Sequence, residues 1–237
     1  MNDRYQAILF DLDGTLLDSN MEAFLPHYIQ RLSARVAHLV PPDKFIVQLL
    51  AATQAMVAND GRASNAQVFA EAFYPAVGRT AAELEPIFVD FYATDYPQLQ
   101  ALTRRKPDAR RAVQAAFDLG CAVVIATNPL FPETAIRQRL AWAGVADFPY
   151  RRVTTFENSH FAKPNPRYFA EILAEIGCAA ENVLVVGDEA ADMIAGRLGC
   201  ETFLTPSINT RFGAATPEPT YRGALSDLIA FLTRRKA

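Results

Sequence analysis

The constraint that most narrows the fold is an alternation of short apolar runs with amphipathic segments that stop at glycine. Tyr5–Phe10, Cys121–Ala126 and Asn182–Val186 carry such runs, as strands covered on both faces do. Asp108–Leu119 stops at Gly120, Glu133–Ala143 at Gly144, Pro166–Ile176 at Gly177 and Ala190–Leu198 at Gly199, the placement of glycine expected just past a helix. A weaker run at Arg151–Phe156 and a short one at Thr202–Leu204 add two strands, and Arg222–Leu232 reads as a closing amphipathic helix. Strands separated by helices predict an α/β fold: a Rossmann-like parallel sheet with right-handed crossovers and helices on both faces. Ligands of such sheets collect at the carboxyl ends of the strands.

One long stretch breaks the alternation. From about Met21 to Gln100 only helical signals occur. Asn20 can cap a helix over Met21–Val40, which Pro26 should interrupt or kink. Pro41-Pro42 punctuates, and Phe45, Leu49, Ala52 and Met56 recur at helical spacing in Asp43–Asn59. Asn59-Asp60-Gly61 reads as a stop with a left-handed residue. Two more helices are predicted over Ser64–Val77 and Thr80–Tyr96, the latter opened by the capping-box spacing Thr80-Ala81-Ala82-Glu83. The division that follows is an α/β core of residues 1–19 and 101–237, with an inserted all-helical domain of residues 20–100.

The formal net charge of −3 gives no electrostatic reason to expect nucleic acid or an anionic membrane as partner. The basic clusters Arg104-Arg105-Lys106, Arg110-Arg111 and Arg234-Arg235-Lys236 read as solvated helix ends or faces. No apolar run reaches the roughly 20 residues of a membrane span, and Met1-Asn2-Asp3-Arg4 leads into a strand rather than a signal-peptide apolar region. Cys121, Cys178 and Cys200 lack metal-ligand spacing and fit a reduced setting. The expectation is a soluble cytoplasmic protein; nothing in the sequence separates monomer from homodimer.

The chemistry-bearing residues fall at the predicted strand ends. Asp11 and Asp13 follow the first apolar run, and on an extended chain their side chains share a face. Two carboxylates there are costly to ionise together unless a cation intervenes, which calls for a metal, a shared proton, or both. Thr127-Asn128 ends the second strand, and Gly187-Asp188 a later one, with Asp192 four residues on. Lys163 stands before a helix in Ala162-Lys163-Pro164-Asn165-Pro166. Converging on one crevice, these groups would suit a divalent metal and an oxyanion substrate.

Asp11-Leu12-Asp13-Gly14-Thr15, Thr127-Asn128, Lys163-Pro164 and Gly187-Asp188…Asp192 resemble, in order, the four motifs of the haloacid-dehalogenase-like hydrolase superfamily, over a core from Tyr5 to about Leu204. The helical insertion resembles that family's cap. The resemblance implies a phosphatase acting on a small phosphorylated metabolite. Asp11 would be the nucleophile that forms an aspartyl-phosphate, and Asp13 the general acid and then base. The side chains of Asp11 and Asp188 with the Asp13 carbonyl would bind Mg²⁺. Thr127 and the Asn128 N–H would hold phosphate oxygens, Lys163 would neutralise charge on the nucleophile and the transferring group, and Asp192 would orient metal-bound water or Lys163. Asp13 favours phosphate esters over halides, because a dehalogenase has no alkoxide to protonate. The alternatives are a phosphomutase using the same intermediate and a binding module that kept the core without turnover. Glu189, which follows the metal aspartate, and Asn128 depart slightly from the family pattern. Arg62 and His160 read as loop residues, and Trp142 as core.

Overall fold

The structure, a computed structural model, describes residues 5–234. Met1–Arg4, Arg235 and Lys236 therefore lie outside the described residues. Strand β1 (Ala7–Phe10) is followed by β2 (Leu17–Ser19) and then by helices α1 (Met21–Val36), α2 (Pro42–Val57), α3 (Asn65–Val77) and α4 (Ala81–Thr94). A 3₁₀ turn, Tyr96–Leu102, leads to β3 (Thr103–Arg105). The α/β part continues with α5 (Ala109–Asp118), β4 (Ala122–Ile125), α6 (Glu133–Ala143), β5 (Arg152–Val153), α7 (Pro166–Ile176), β6 (Val183–Gly187), α8 (Ala190–Met193), β7 (Glu201–Leu204), β8 (Tyr221–Arg222) and α9 (Leu225–Thr233).

Six strands form one sheet in the order β5-β4-β1-β6-β7-β8, and every neighbouring pair is parallel. β1 is central and wholly buried. Its alternation serves two cores: Ile8 and Phe10 join Val123, Ile125, Leu184 and Val186 on one face. Ala7 and Leu9 join Val124, Val185 and the α7 residues Tyr168, Phe169 and Ile172 on the other. Successive strand side chains point to opposite faces, so an unbroken apolar run is what a sheet packed on both sides requires. The Rossmann-like parallel sheet and the all-helical insertion are as the sequence predicts.

Several elements differ in detail. Pro26 does not end α1, which runs from Met21 to Val36 with Asn20 capping it through Glu22 and Ala23 N–H groups. The lost bond falls in an exposed part of the first two turns, where water can replace it. The predicted helix over Ala190–Leu198 is one α-turn, Ala190–Met193, that tightens into 3₁₀ over Ile194–Leu198. Arg222 lies in β8 rather than in the last helix. Sequence reasoning also missed the two-stranded antiparallel ribbon of β2 and β3, whose three-residue strands are too short to show a period. That ribbon brackets the helical insertion, so chain leaves and re-enters the core at one place. The insertion also touches the core at the start of α3: the Asn65 and Ala66 N–H groups donate to the Ser159 and Phe156 carbonyls, both at 2.8 Å. Among the described residues no helix is long and apolar enough to cross a membrane.

Candidate active site

The parallel register sets the site. β1 pairs with β4 and β6 so that Phe10 lies level with Ile125 and Val186. The residues just beyond, Asp11, Thr127-Asn128 and Asp188, therefore emerge side by side at one sheet edge. After Leu12 the chain curls: the Gly14 N–H donates to the Leu17 carbonyl at 2.7 Å. Gly14 has φ +82°, and a Cβ there would run into the Asp188 carboxylate; the turn needs glycine both for its backbone and for that close approach.

Lys163 is buried and donates to Asp11 Oδ1 at 2.9 Å and to Asp192 Oδ1 at 2.5 Å. Burial alone lowers the pKa of its ammonium, but Asp11 and then Asp192 outweigh that and hold it well above the ordinary lysine value. The Lys163 N–H also donates to Asn128 Oδ1 at 3.2 Å, which ties its loop to the end of β4. Asp192 is fixed from its own turn as well, accepting from the Glu189 N–H at 3.1 Å. Burial raises its pKa to about 6 against the pull of Lys163.

Asp13 has a different cation. Arg139, on α6 and 2% exposed, donates through Nη1 to Asp13 Oδ2, and Ser19 donates to the other oxygen at 3.1 Å. Burial raises the Asp13 pKa, with Arg139 acting against it. The guanidinium carbon lies 4.5 Å from the Phe131 ring centroid, a cation–π distance. The Nε and Nη2 of Arg139 have no partner among the described residues. Sequence reasoning missed this arginine. Its signal was present: Ala135, Ile136, Arg139, Leu140 and Ala143 form the buried stripe of α6, and a charge at a core position asks for a partner.

Asp188 is held by hydroxyls and not by an ion pair. Its oxygens accept from Thr15 Oγ1 at 3.3 Å and from Ser207 Oγ, and it forms no ion pair among the described residues. Burial, reinforced by Asp11 and Asp192, pushes its pKa up to about 8. Asp11, Asp188 and Asp192 each offer a carboxylate oxygen within 4.8 Å of the others. A buried, all-oxygen cluster with excess negative charge fits a hard divalent cation. The loop that supplies Ser207, with Thr210 donating to the Asp188 carbonyl at 2.6 Å, was not foreseen either; hydroxyl residues in an irregular loop carry no periodic signal.

The structure thus brings Asp11, Asp13, Thr127, Asn128, Lys163, Asp188 and Asp192 to the floor of one cavity of about 870 Å³. The residues read as structural stay outside it. Arg62 is exposed and pairs with Glu71 at 2.6 Å; the His160 ring meets Glu171 at 2.8 Å; Trp142 is buried and stacks on Tyr96.

This floor, at the carboxyl edge of a parallel sheet beneath a helical insertion, is the arrangement of a cap-bearing hydrolase. The sequence model of the haloacid dehalogenase-like hydrolases matches residues 5–199, and the chain belongs to that family. Among its relatives are phosphatases. One is the N-acetylmuramic acid 6-phosphate phosphatase of Pseudomonas aeruginosa, 28% identical over 93% of this chain and 89% of that one. Another is a phosphoglycolate phosphatase of Neisseria gonorrhoeae, 27% identical over 82% of this chain and 77% of that one. The fold is shared with a haloacid-dehalogenase-type phosphatase from Thermococcus onnurineus, with a TM-score of 0.60 over 96% of this chain and 97% of that one at 18% identity. The chain is a phosphoric monoester hydrolase of this family.

Proposed function

We propose that the protein is a Mg²⁺-dependent phosphatase of a small phosphorylated metabolite, working through an aspartyl-phosphate on Asp11. The observation that carries this is the division of the buried carboxylates: Asp11 on Lys163, Asp13 on Arg139, and Asp188 with no ion-pair partner among the described residues. A metal held by Asp11, Asp188 and the Asp13 carbonyl would neutralise the third carboxylate and draw charge from the phosphoryl group. An Asp11 oxygen attacks phosphorus, and the ester oxygen leaves with a proton from Asp13. Asp13 then takes a proton from water, which attacks phosphorus; the bond to Asp11 breaks and inorganic phosphate departs. Thr127 and the Asn128 N–H hold the non-reacting oxygens, Lys163 balances charge at Asp11, and Asp192 keeps Lys163 in place.

Residues 20–100 act as the cap that closes over the floor and excludes bulk water, and residues 1–19 with 101–237 as the core. The three unpaired cysteines support a reducing, cytoplasmic setting. The test is phosphate release from a panel of phosphate monoesters with Mg²⁺ and after its removal by chelator. Activity should require the metal, and Asp11→Asn should lower turnover by at least about a thousandfold. Substantial turnover by Asp11→Asn would overturn the nucleophile assignment.

A further inference from the structure

The cavity has two unlike ends. All the charge described above lies at its floor. Its roof, contributed by the helical insertion, contains Leu25, Ile29, Leu32, Leu49, Met56 and Phe69, and no lysine, arginine or histidine of that insertion lines it. Among the described residues, Glu85 is the only charged one of the roof. The roof hydroxyls are already engaged: Tyr28 and Tyr92 share a hydrogen bond at 2.9 Å, Tyr74 donates to Glu85 at 3.3 Å, and Thr53 donates to the Leu49 carbonyl at 2.8 Å. The apolar lining continues to the rim, where Leu25, Leu50 and Val89 are 37%, 50% and 70% exposed. Exposed large apolar residues gathered at one opening mark a binding surface more than scattered ones do.

A roof with no cation, whose hydroxyls already take part in hydrogen bonds, is poorly suited to a second phosphate, a carboxylate or the several hydroxyls of a sugar, because buried polar groups need partners. The volume is that of a site for a drug-sized ligand, far more than a two-carbon acid fills. We infer that the leaving alcohol of the substrate is a predominantly apolar body, aliphatic or aromatic, whose phosphate reaches the floor while its carbon skeleton lies against the cap. This inference rests on the phosphatase reading and supplies its substrate class. The polar atoms of the cavity without a partner among the described residues, Nε and Nη2 of Arg139 and Oε1 of Gln138, belong to α6 of the core and not to the roof.

The test is a series of n-alkyl phosphates from ethyl to decyl, assayed with Mg²⁺ beside 2-phosphoglycolate, pyrophosphate and glucose 6-phosphate. The expected result is a kcat/KM that rises roughly three- to fourfold per methylene until the cavity is filled and exceeds that of the three polar substrates. A higher kcat/KM for any of those three, or no dependence on chain length, overturns the inference and leaves the phosphatase reading standing. If no ester is turned over, the phosphatase reading fails; calorimetric binding of the same series to Asp11→Asn still decides the cavity, an affinity rising with chain length supporting it and a flat series overturning it. Leu50→Glu and Val89→Glu, at exposed positions that do not threaten folding, should lower the octyl-to-ethyl ratio of kcat/KM at least about tenfold. An unchanged ratio in both variants overturns the placement of the chain along the rim.

Discussion

The floor and the roof of the cavity solve opposite problems. At the floor, two buried cations are set against carboxylates: Lys163 with Asp11 and Asp192, and Arg139 with Asp13. At the roof, burial is almost wholly apolar, and the few hydroxyls bond one another, Glu85 or the backbone. The floor is therefore tuned by what each group is paired with, and the roof by shape and area alone. Chemistry fixed at one end and size selected at the other is how one hydrolytic floor can serve many esters.

The sharpest way to break that contrast is to unpair the floor. Asp13→Asn should lower kcat about 10²–10⁴-fold by removing the acid/base. Arg139→Met leaves the Asp13 carboxylate buried without its cation and should cost about 3–5 kcal/mol of stability in urea unfolding. The two residues touch, so their effects should not add; in the double variant the stability loss should be smaller than the sum of the two singles. Additive losses would show that the pair is not an energetic unit and that the floor is held by its surroundings.

The same contrast explains what was legible in the sequence. The floor was readable because its residues sit in short contiguous motifs at strand ends: Asp11-x-Asp13, Thr127-Asn128 and Gly187-Asp188 are brought together by the parallel register of β1, β4 and β6 alone. Arg139 escaped because it lies mid-helix, 126 residues from its partner, and only the packing of α6 shows which way it faces. The Ser207–Thr210 loop escaped because irregular backbone has no period. The roof was legible as helices, through Asn20, the Thr80…Glu83 spacing and the Phe45–Met56 stripe, but not as a binding surface. An apolar residue facing a cavity and one facing a core look the same in sequence, so Phe45, fully buried, and Leu50, at the rim, could not be told apart.

A smaller effect tests whether the roof hydroxyls are spent on each other. Tyr28 and Tyr92 are buried enough that both phenols are pushed up, Tyr28 to about 12, so they act as hydrogen-bonding groups and not as charges. Tyr28→Phe should lower stability by about 1 kcal/mol, the net value of one such bond, seen as a lower urea midpoint at unchanged slope. The chain-length dependence for alkyl phosphates should persist. If it collapses while stability holds, these hydroxyls contact substrate, and the roof is more polar in use than its lining suggests.

The smallest effect isolates burial from pairing. Arg110 and Asp147 repeat the arginine–aspartate chemistry of the floor in the open: a two-pronged contact at 2.6 and 2.7 Å, with side chains 55% and 64% exposed. The Arg110 hydrogen bonds lower the Asp147 pKa from 3.8 to about 2. A depressed carboxyl stabilises the fold above its unfolded pKa, and that contribution is lost as pH falls through the folded value. The stability difference between the protein and Asp147→Asn should therefore be constant above about pH 5, shrink between about pH 4 and 2, and stay well below the effect of Arg139→Met throughout. Acid titration of urea midpoints for the two proteins measures it. An Asp147→Asn loss as large as that of Arg139→Met would mean that pairing, not burial, governs both sites, and the contrast between floor and surface would fail.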